Sequence, residues 1–497
     1  MNRGTATPKR LTCLLAGLML AWPAVADSAP RRDAALEAQL RAHINELASD
    51  DYDGREPGTQ GEAKTLRYLG RQWFDVGLVS GTNDPGNDWF VPVTLVAREP
   101  ASSVTQFSRK GRRIAVPNGE TLMLTSGNRS LVRNAPILFV GKGNGEVPPR
   151  NELAGRVALL LDGGVDDSDR QNALLAAGAS AVLTVLDGDR TLENVAARRR
   201  RTGYVLSGET VGGDLEGFIT AAGFGKLLAG TGKTLASLRD ESAKPGFAPR
   251  PLDITASLEA TTRETTIRTH NVIGKIPGRR PETGAVLFVA HWDAFGICAE
   301  PPAEDLICNG AIDNASGVAA LTEIARRLVR GPQMDRDIYF LATTGEELGL
   351  LGAHAFAENP PIPLTQFVAA FNIDSIALAP AGSPLAIVGK GMTRLDSSIA
   401  RVAKQQRRKI VEGDAANEYV RRQDGWALLQ HDVPTVMVSG AYSDIDRVEK
   451  FFDGDYHRPS DGIDKPIELG GAADDVLFHV ALGRYFADAR KVPSPAK

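Results

Sequence analysis

Two hydrophobic periodicities divide this chain into regions. Residues 35–49 (ALEAQLRAHINELAS) place Leu36, Leu40, Ile44 and Leu47 three or four apart, which predicts one amphipathic helix. The polar, turn-rich DDYDGREPGTQG (50–61) follows, then a second helix over 63–76 that stops before Gly77. A strand is expected over 88–98, and irregular strands and turns over 99–134, where Ser, Arg and Gly are frequent. The texture then changes. APILFVGKG (135–143), AGRVALLLDGG (154–164) and SAVLTVLDG (180–188) read as buried strands, with a helix in DRQNALLAAGA (169–179) between the last two. That is a βαβ arrangement with short connections. It carries no cluster of His, Cys or paired acids, so no chemistry is assigned to it. DESAKPGFAPRP (240–251), charged and rich in Pro and Gly, reads as a linker.

From residue 252 onward, apolar runs alternate with amphipathic helices. THNVIGKIPG, GAVLFVAHWD, RDIYFLATTGEE and FVAAFNIDS are the runs; SGVAALTEIARRLV and 349–358 are the helices. Continuous apolar strands between such helices predict an α/β fold whose mostly parallel central sheet is covered on both faces. Ligands of such sheets gather at the carboxyl ends of the strands. No internal repeat is evident.

Composition adds limits. A chain of 497 residues has room for two or three domains. Its 42% apolar and 24% charged residues fit a folded globular protein and not a disordered one. The formal charge is −4, and −7 without residues 1–26, which hold Arg3, Lys9 and Arg10 and no acid. That balance excludes a nucleic-acid surface, and the arginine run 198–201 reads as a solvated face. Residues 1–26 read as a cleaved signal peptide: Lys9 and Arg10 precede the apolar stretch 11–23, and Ala24, Val25 and Ala26 supply a small-residue cleavage pattern. About a dozen apolar residues is short for a membrane span of roughly 20, so no stable anchor is expected after cleavage. The protein is expected in the periplasm or outside the cell. Cys298 and Cys308 then remain, and in an oxidising compartment they suggest one disulfide closing a small loop, with two free thiols as the alternative.

The candidate chemistry lies where apolar runs meet turns. GAVLFVAHWD ends in His291 and Asp293, which face one side of an extended chain. Asp293 is expected to accept the second ring N–H of His291 and fix its tautomer. In NGAIDNASG (309–317), Asp313 precedes a helix starting near Ser316. A helix cap is the plain reading, but Asn and Ser are at hand for that, which leaves Asp313 free to bridge two cations. RDIYFLATTGEELGLLG (336–352) sets two adjacent acids after a strand. They could simply favour a helix N-terminus. Adjacent side chains diverge, however, so Glu347 is assigned as a metal ligand and Glu346 as the general base. Asp374 ends FVAAFNIDS, and His457 sits in YHRPSD (456–461). A carboxylate-rich set with two imidazoles suits a pair of zinc ions. Tyr456 or Tyr419 is a candidate donor to a developing oxyanion. The other five histidines, His43, His270, His354, His431 and His479, lie in unremarkable contexts.

VAHWD, NGAIDNASGVAALTEIAR, TTGEELGLLG, FNIDS and YHRPSD, in this order over about 270–465, resemble the co-catalytic zinc aminopeptidases and glutamate carboxypeptidases of metallopeptidase family twenty-eight. LASDDYDGREPGTQGEAKTLRYL resembles the front of secreted bacterial members, and AGRVALLLDGG with NALLAAGASAVLTV resembles the protease-associated domain often inserted in them. The resemblance implies a signal peptide over 1–26, the first part of a peptidase domain over 27–118, a protease-associated insert over 119–245 and the catalytic zinc peptidase domain over 246–497. It implies that His291 and Asp374 hold one Zn2+, that Glu347 and His457 hold a second, and that Asp313 bridges them. It also implies a cis peptide at Asp313–Asn314. One departure stands out. Relatives commonly read Arg-Ser-Asp-His where this chain has Arg422, Gln423, Asp424 and Gly425, followed by Trp426. That segment lines the substrate pocket in relatives, so Arg422, Asp424 and Tyr456 are candidate pocket residues, and the loop between Phe295 and Asn309 is expected to help shape the pocket.

The expected activity is an exported exopeptidase acting on peptides, foremost an aminopeptidase. A carboxypeptidase or dipeptidase is the near alternative, since Arg421 or Arg422 could hold a terminal carboxylate bidentately. A single-zinc glutaminyl cyclase would not need all five ligands. A metal-free binding ectodomain is the reading from a different class, and the complete ligand set argues against it. Oligomeric state and the preferred terminal residue have no signature in the chain.

Overall fold

A computed structural model of the chain describes residue 1 and residues 32–83, 88–142, 146–162, 168–186, 190–196, 203–209 and 212–493. The stretch 1–26 read as a signal peptide, apart from Met1, and the arginine run 198–201 fall outside these residues. Among the described residues no helix is long and apolar enough to cross a membrane.

The fold is mixed α/β. One sheet runs through the molecule, and its second-half strands are β8 (Ala285–His291), β9 (Asp337–Thr343), β10 (Phe367–Asn372), β11 (Ala386–Val388) and β12 (Thr435–Ser439). In the order β9-β8-β10-β12 they are parallel, and β11 closes that edge antiparallel to β12. Every residue of β8, β9, β10 and β12 is buried, as expected for strands covered on both faces. The helices α1 (Ala34–Leu47), α2 (Gln60–Val76), α5 (Ser316–Val329) and α8 (Leu469–Phe486) pack on one face. Leu36, Leu40, Ile44 and Leu47 all enter that core, so the helical stripe read from the sequence is the buried one. Helix α2 ends on Gly77 at φ +98°, the left-handed turn a glycine permits cheaply.

The region 99–134 departs from the irregular structure expected of it. Here β1 (Phe90–Arg109) runs antiparallel to β7 (Arg250–Ile276), paired from Val272↔Phe90 to Thr255↔Ser108 with one shift near Thr261. Leu252, Ile254, Ala256, Leu258 and Ala260 alternate and are buried, whereas the middle of this ribbon, 101–104 on one strand and 263–266 on the other, is exposed and shows no apolar alternation. Its strands are tied by polar cross-strand pairs instead: Ser102–Thr261 at 2.6 Å, Ser108–Thr255 at 2.8 Å and Arg98–Glu264 at 2.7 Å. Beyond it lie β2 (Thr121–Thr125), β3 (Arg129–Lys142), β4 (Val157–Leu161), α3 (Ser168–Ala176), β5 (Ala181–Val185) and β6 (Leu215–Ile219). The β3-β4-β5-β6 strands are parallel and β2 is antiparallel at the edge. A separate core forms under them from Phe107, Phe139, Leu159, Leu183 and Phe224, to which β7 adds Leu252–Ala260. The stretch 240–251 is tied down: α4 (Leu235–Ser242) starts with a Thr234–Ser237 capping box, and Arg250 Nη2 meets Glu241 Oε2 at 2.9 Å.

Candidate active site

Three parallel strands finish side by side. His291 is the last residue of β8, level with Thr343 at the end of β9, while Val289 is level with Asn372 at the end of β10. The chain leaving β9 turns through Gly345, at φ +60°, presents Glu346 and Glu347, and enters α6 (Leu351–Glu358). The chain leaving β10 presents Asp374, followed by Ser375 at φ +49°. Asp313 arrives on a kinked segment, Ala311–Ala315, directly before α5. The peptide Asp313–Asn314 is cis, as the resemblance implies. Asp461 fixes this segment, its carboxylate accepting from the Ile312 and Asp313 N–H groups at 2.9 and 3.0 Å. Asn314 locks it to β10, donating to the Ile373 carbonyl at 3.0 Å. His457 comes last, just beyond α7 (Ile445–Gly454), with φ +57°, a region few residues other than glycine adopt without cost.

These residues converge in two overlapping sets, His291–Asp313–Asp374 and Asp313–Glu347–His457, whose ligand atoms in each set lie within 4.8 Å of one another. His291 Nε2 is 3.2 Å from Asp313 Oδ1, 3.5 Å from Asp374 Oδ1 and 3.8 Å from Glu346 Oε2. His457 Nε2 is 2.7 Å from Glu347 Oε2 and 3.4 Å from the other Asp313 oxygen. Asp313 therefore turns one oxygen to each set. His457 Nε2 is buried and has no hydrogen-bond partner despite these close oxygens. A nitrogen lone pair and carboxylate oxygens that converge without sharing a proton fit a cation between them. Charge leads the same way. Asp293, Asp313, Glu346, Asp374 and Asp424 are all buried here around two imidazoles, an excess of negative charge that a dry interior tolerates only when it is compensated.

Burial sets the protonation equilibria. It pushes Glu346 well above the usual carboxylate range, opposed by His291 and reinforced by Asp374 and Glu347. It carries Glu347 up to about 7, with Asp313 adding to the rise. Asp313 is the exception: the two imidazoles outweigh its burial and hold it well below the usual value.

Asp293 corrects an expectation. The His291 Nδ1 partner is the main-chain oxygen of Asp293, at 3.2 Å, while the Asp293 carboxylate stands 3.8 Å away. That carboxylate accepts instead from the Glu346 and Glu347 N–H groups, at 3.2 and 3.4 Å. It positions the acidic pair, and the backbone orients the imidazole. Asp424 also departs from its expected place. It is buried beneath the centre, accepts from the Thr343 hydroxyl, and does not line the recess beside Asp374. Burial pushes it up to about 7. Arg422 and Tyr456 do line that narrow recess, with Tyr419, Met437 and Phe452. The Arg422 guanidinium lies 4.5 Å from the Phe452 ring centre and 5.5 Å from that of Tyr456. Tyr456 stacks on His457, ring centres 3.5 Å apart. Cys298 and Cys308 form the disulfide.

Two residues of the site went unread in the sequence. Tyr442, fully buried in the recess behind Asp374, follows β12 just as the acids follow their strands, and that position was its signal. Ser375, which donates to Asp374 at 3.1 Å, had no signal beyond its neighbour.

Fold and site together define a class: an α/β protein with a buried, carboxylate-rich candidate cation centre at the carboxyl edge of its sheet. The sequence model of Peptidase family M28 matches residues 271–476, so this stretch, which carries all six central residues, is a Peptidase family M28 domain. Aminopeptidase YwaD of Bacillus subtilis is 27% identical over 209 residues, covering 42% of this chain and 36% of that protein. A vacuolar membrane protease of Lachancea thermotolerans is 31% identical over 116 residues, 23% of this chain and 11% of that one. The matched stretches thus span only about a tenth to a third of these curated relatives. An aminopeptidase from Aneurinibacillus sp. strain AM-1 has the same fold, with a TM-score of 0.56 at 19% identity over 93% of this chain and 95% of that one.

Proposed function

We propose that the protein is a zinc-dependent exopeptidase, an aminopeptidase that hydrolyses the first peptide bond of its substrates with two Zn2+ per chain. The observation that carries this reading is Asp313, whose two oxygens face two different imidazole–carboxylate sets. His291 and Asp374 would hold one ion, Glu347 and His457 the other, and Asp313 both. Ions so held supply Lewis acidity that polarises the scissile carbonyl and acidifies the attacking water. Glu346 is placed to take that water's proton and deliver it to the leaving amine, and its raised affinity for a proton suits both transfers. Tyr456, a phenol kept protonated by burial and nearby carboxylates, is the candidate donor to the developing oxyanion. Asp293 holds Glu346 and Glu347 in register.

Glu346→Gln is expected to keep its metal and lose roughly 10²–10⁴-fold in kcat on aminoacyl substrates. Full activity with full metal content would overturn the assignment. Arg422 at the recess favours a second reading, a carboxypeptidase whose guanidinium receives the terminal carboxylate. Peptides blocked at the amino end or at the carboxyl end separate the two, because an aminopeptidase spares only the first. The leader pattern of residues 1–26 and the Cys298–Cys308 disulfide support export to the periplasm or beyond.

A further inference from the structure

A second recess, a groove of about 440 Å³, opens on the other side of the centre. It starts at the metal-binding turns themselves. Phe295 follows Asp293 by two residues and its ring stands 4.3 Å from that of His457, while Leu348 directly follows Glu347. One wall is the disulfide loop, where Gly296–Ile297 pairs antiparallel with Ile307–Cys308 and the bridge to Cys298 closes the turn. That wall is braced from behind. A side chain on Gly54 would strike the Cys308 carbonyl at 2.7 Å, and one on Gly296, at φ +63°, would strike the Glu56 carboxylate at 2.5 Å. The opposite wall carries Tyr204, from the chain between β5 and β6, and the strand Tyr204–Leu206 is held in place by pairing with Leu95–Ala97 of β1. Ile297 is 72% exposed at the rim, where a bound chain could reach its side chain. Among the described residues, the charged ones that line the groove are Glu56 and Glu300.

We propose that this groove receives the peptide residues that follow the scissile bond, and that Tyr204 and Ile297 contact the first of their side chains. The inference rests on the peptidase reading and adds a substrate class: peptides of three or more residues with an apolar or basic side chain after the bond. A blocked carboxyl end is no obstacle. A free carboxylate close to the bond meets Glu56 and Glu300 and is disfavoured.

The test uses the full, zinc-loaded protein. Its kcat/KM is compared on an aminoacyl amide, whose leaving group is ammonia and places nothing in the groove, and on tetrapeptide amides with Phe, Lys or Glu after the bond. The Phe and Lys peptides should exceed the Glu peptide by roughly tenfold. Tyr204→Ala and Ile297→Ser should each lose roughly fivefold to twentyfold on the Phe peptide and leave the aminoacyl amide unchanged. Glu300→Lys should reverse the preference between the Lys and Glu peptides. Equal losses on aminoacyl amide and peptide, or none on either, would overturn the proposal. If no substrate is cleaved, the peptidase reading falls and calorimetry decides the groove. Weaker binding of the Phe tetrapeptide amide to Tyr204→Ala than to the parent would sustain it; equal binding would end it.

Discussion

Arg55 shows how one side chain can hold a site together without touching it. It is fully buried, and its guanidinium donates to the carbonyls of Leu47, Trp292, Asn309 and Gly310 at 2.6–2.9 Å. It thereby joins helix α1, the exit of β8 and the segment that leads to Asp313. Burial pulls its pKa down to about 10, against Asp461, Asp293 and Asp313, so it is charged at neutral pH. Arg55→Met would strand four carbonyls at about 1–3 kcal/mol each before relaxation. A net loss of at least about 3 kcal/mol is expected, read as a lower thermal midpoint of the zinc-loaded protein. Arg55→Lys should recover only part of it, because a compact ammonium cannot span the fork of a guanidinium. Nothing in the polar segment DDYDGREPGTQG signals this from spacing, because a turn-rich run looks the same whether it faces water or the protein interior. The convergence of the candidate ligands was legible for the opposite reason. Acids and imidazoles directly after apolar strands have no packing role to explain them.

At the scale of elements, the disulfide loop and α8 yield distinct expectations. The Cys298–Cys308 bridge spans ten residues, so its loss removes a modest loop-closure term of about 3 kcal/mol at most. Replacing both cysteines with serine should therefore leave the protein folded while amide exchange quickens within 296–308. Retained protection there would show that the strand pair alone holds the loop. In α8, Asp475 accepts from Ser439 Oγ at 2.6 Å and from the Gly440 N–H at 3.1 Å, yet burial pushes its carboxyl up to about 7. The folded protein then keeps a proton that the unfolded chain, with an ordinary value of 3.8, releases first. Stability from this group is full below that ordinary value and is lost as pH rises through about 7. Asp475→Asn should match the parent near pH 4 and become relatively more stable by pH 8, as measured by denaturant midpoints at both pH values. Elements with an apolar period were readable in advance, α1 and β8 through β10 among them. The exposed middle of the β1–β7 ribbon was not, since strands joined there by Ser, Thr and ion pairs carry no hydrophobic alternation.

For the whole molecule, the proposed centre would also be a source of cohesion, because its candidate ligands come from five separate stretches between His291 and His457. Cations held there offset carboxylates that would otherwise repel across the sheet edge. Removing metal with a chelator should lower the thermal midpoint, and added Zn2+ should restore it, with about 2.7 kcal/mol expected at a hundredfold excess over Kd. An unchanged midpoint would mean that the apo site is already balanced by protons. The sequence by itself determined the α/β layering from residue 252 onward, the residue types at the strand ends and their order, because periodicity reports burial and a misplaced polar residue reports chemistry. Only the tertiary structure decided which atoms meet: that Asp313 divides its oxygens between two sets, that Asp293 holds the Glu346 turn while its carbonyl serves His291, and that Tyr442 and Arg55 close in from remote segments. Residues so far apart along the chain reach hydrogen-bond distance solely through packing, and packing is a property of the whole fold that no local pattern encodes.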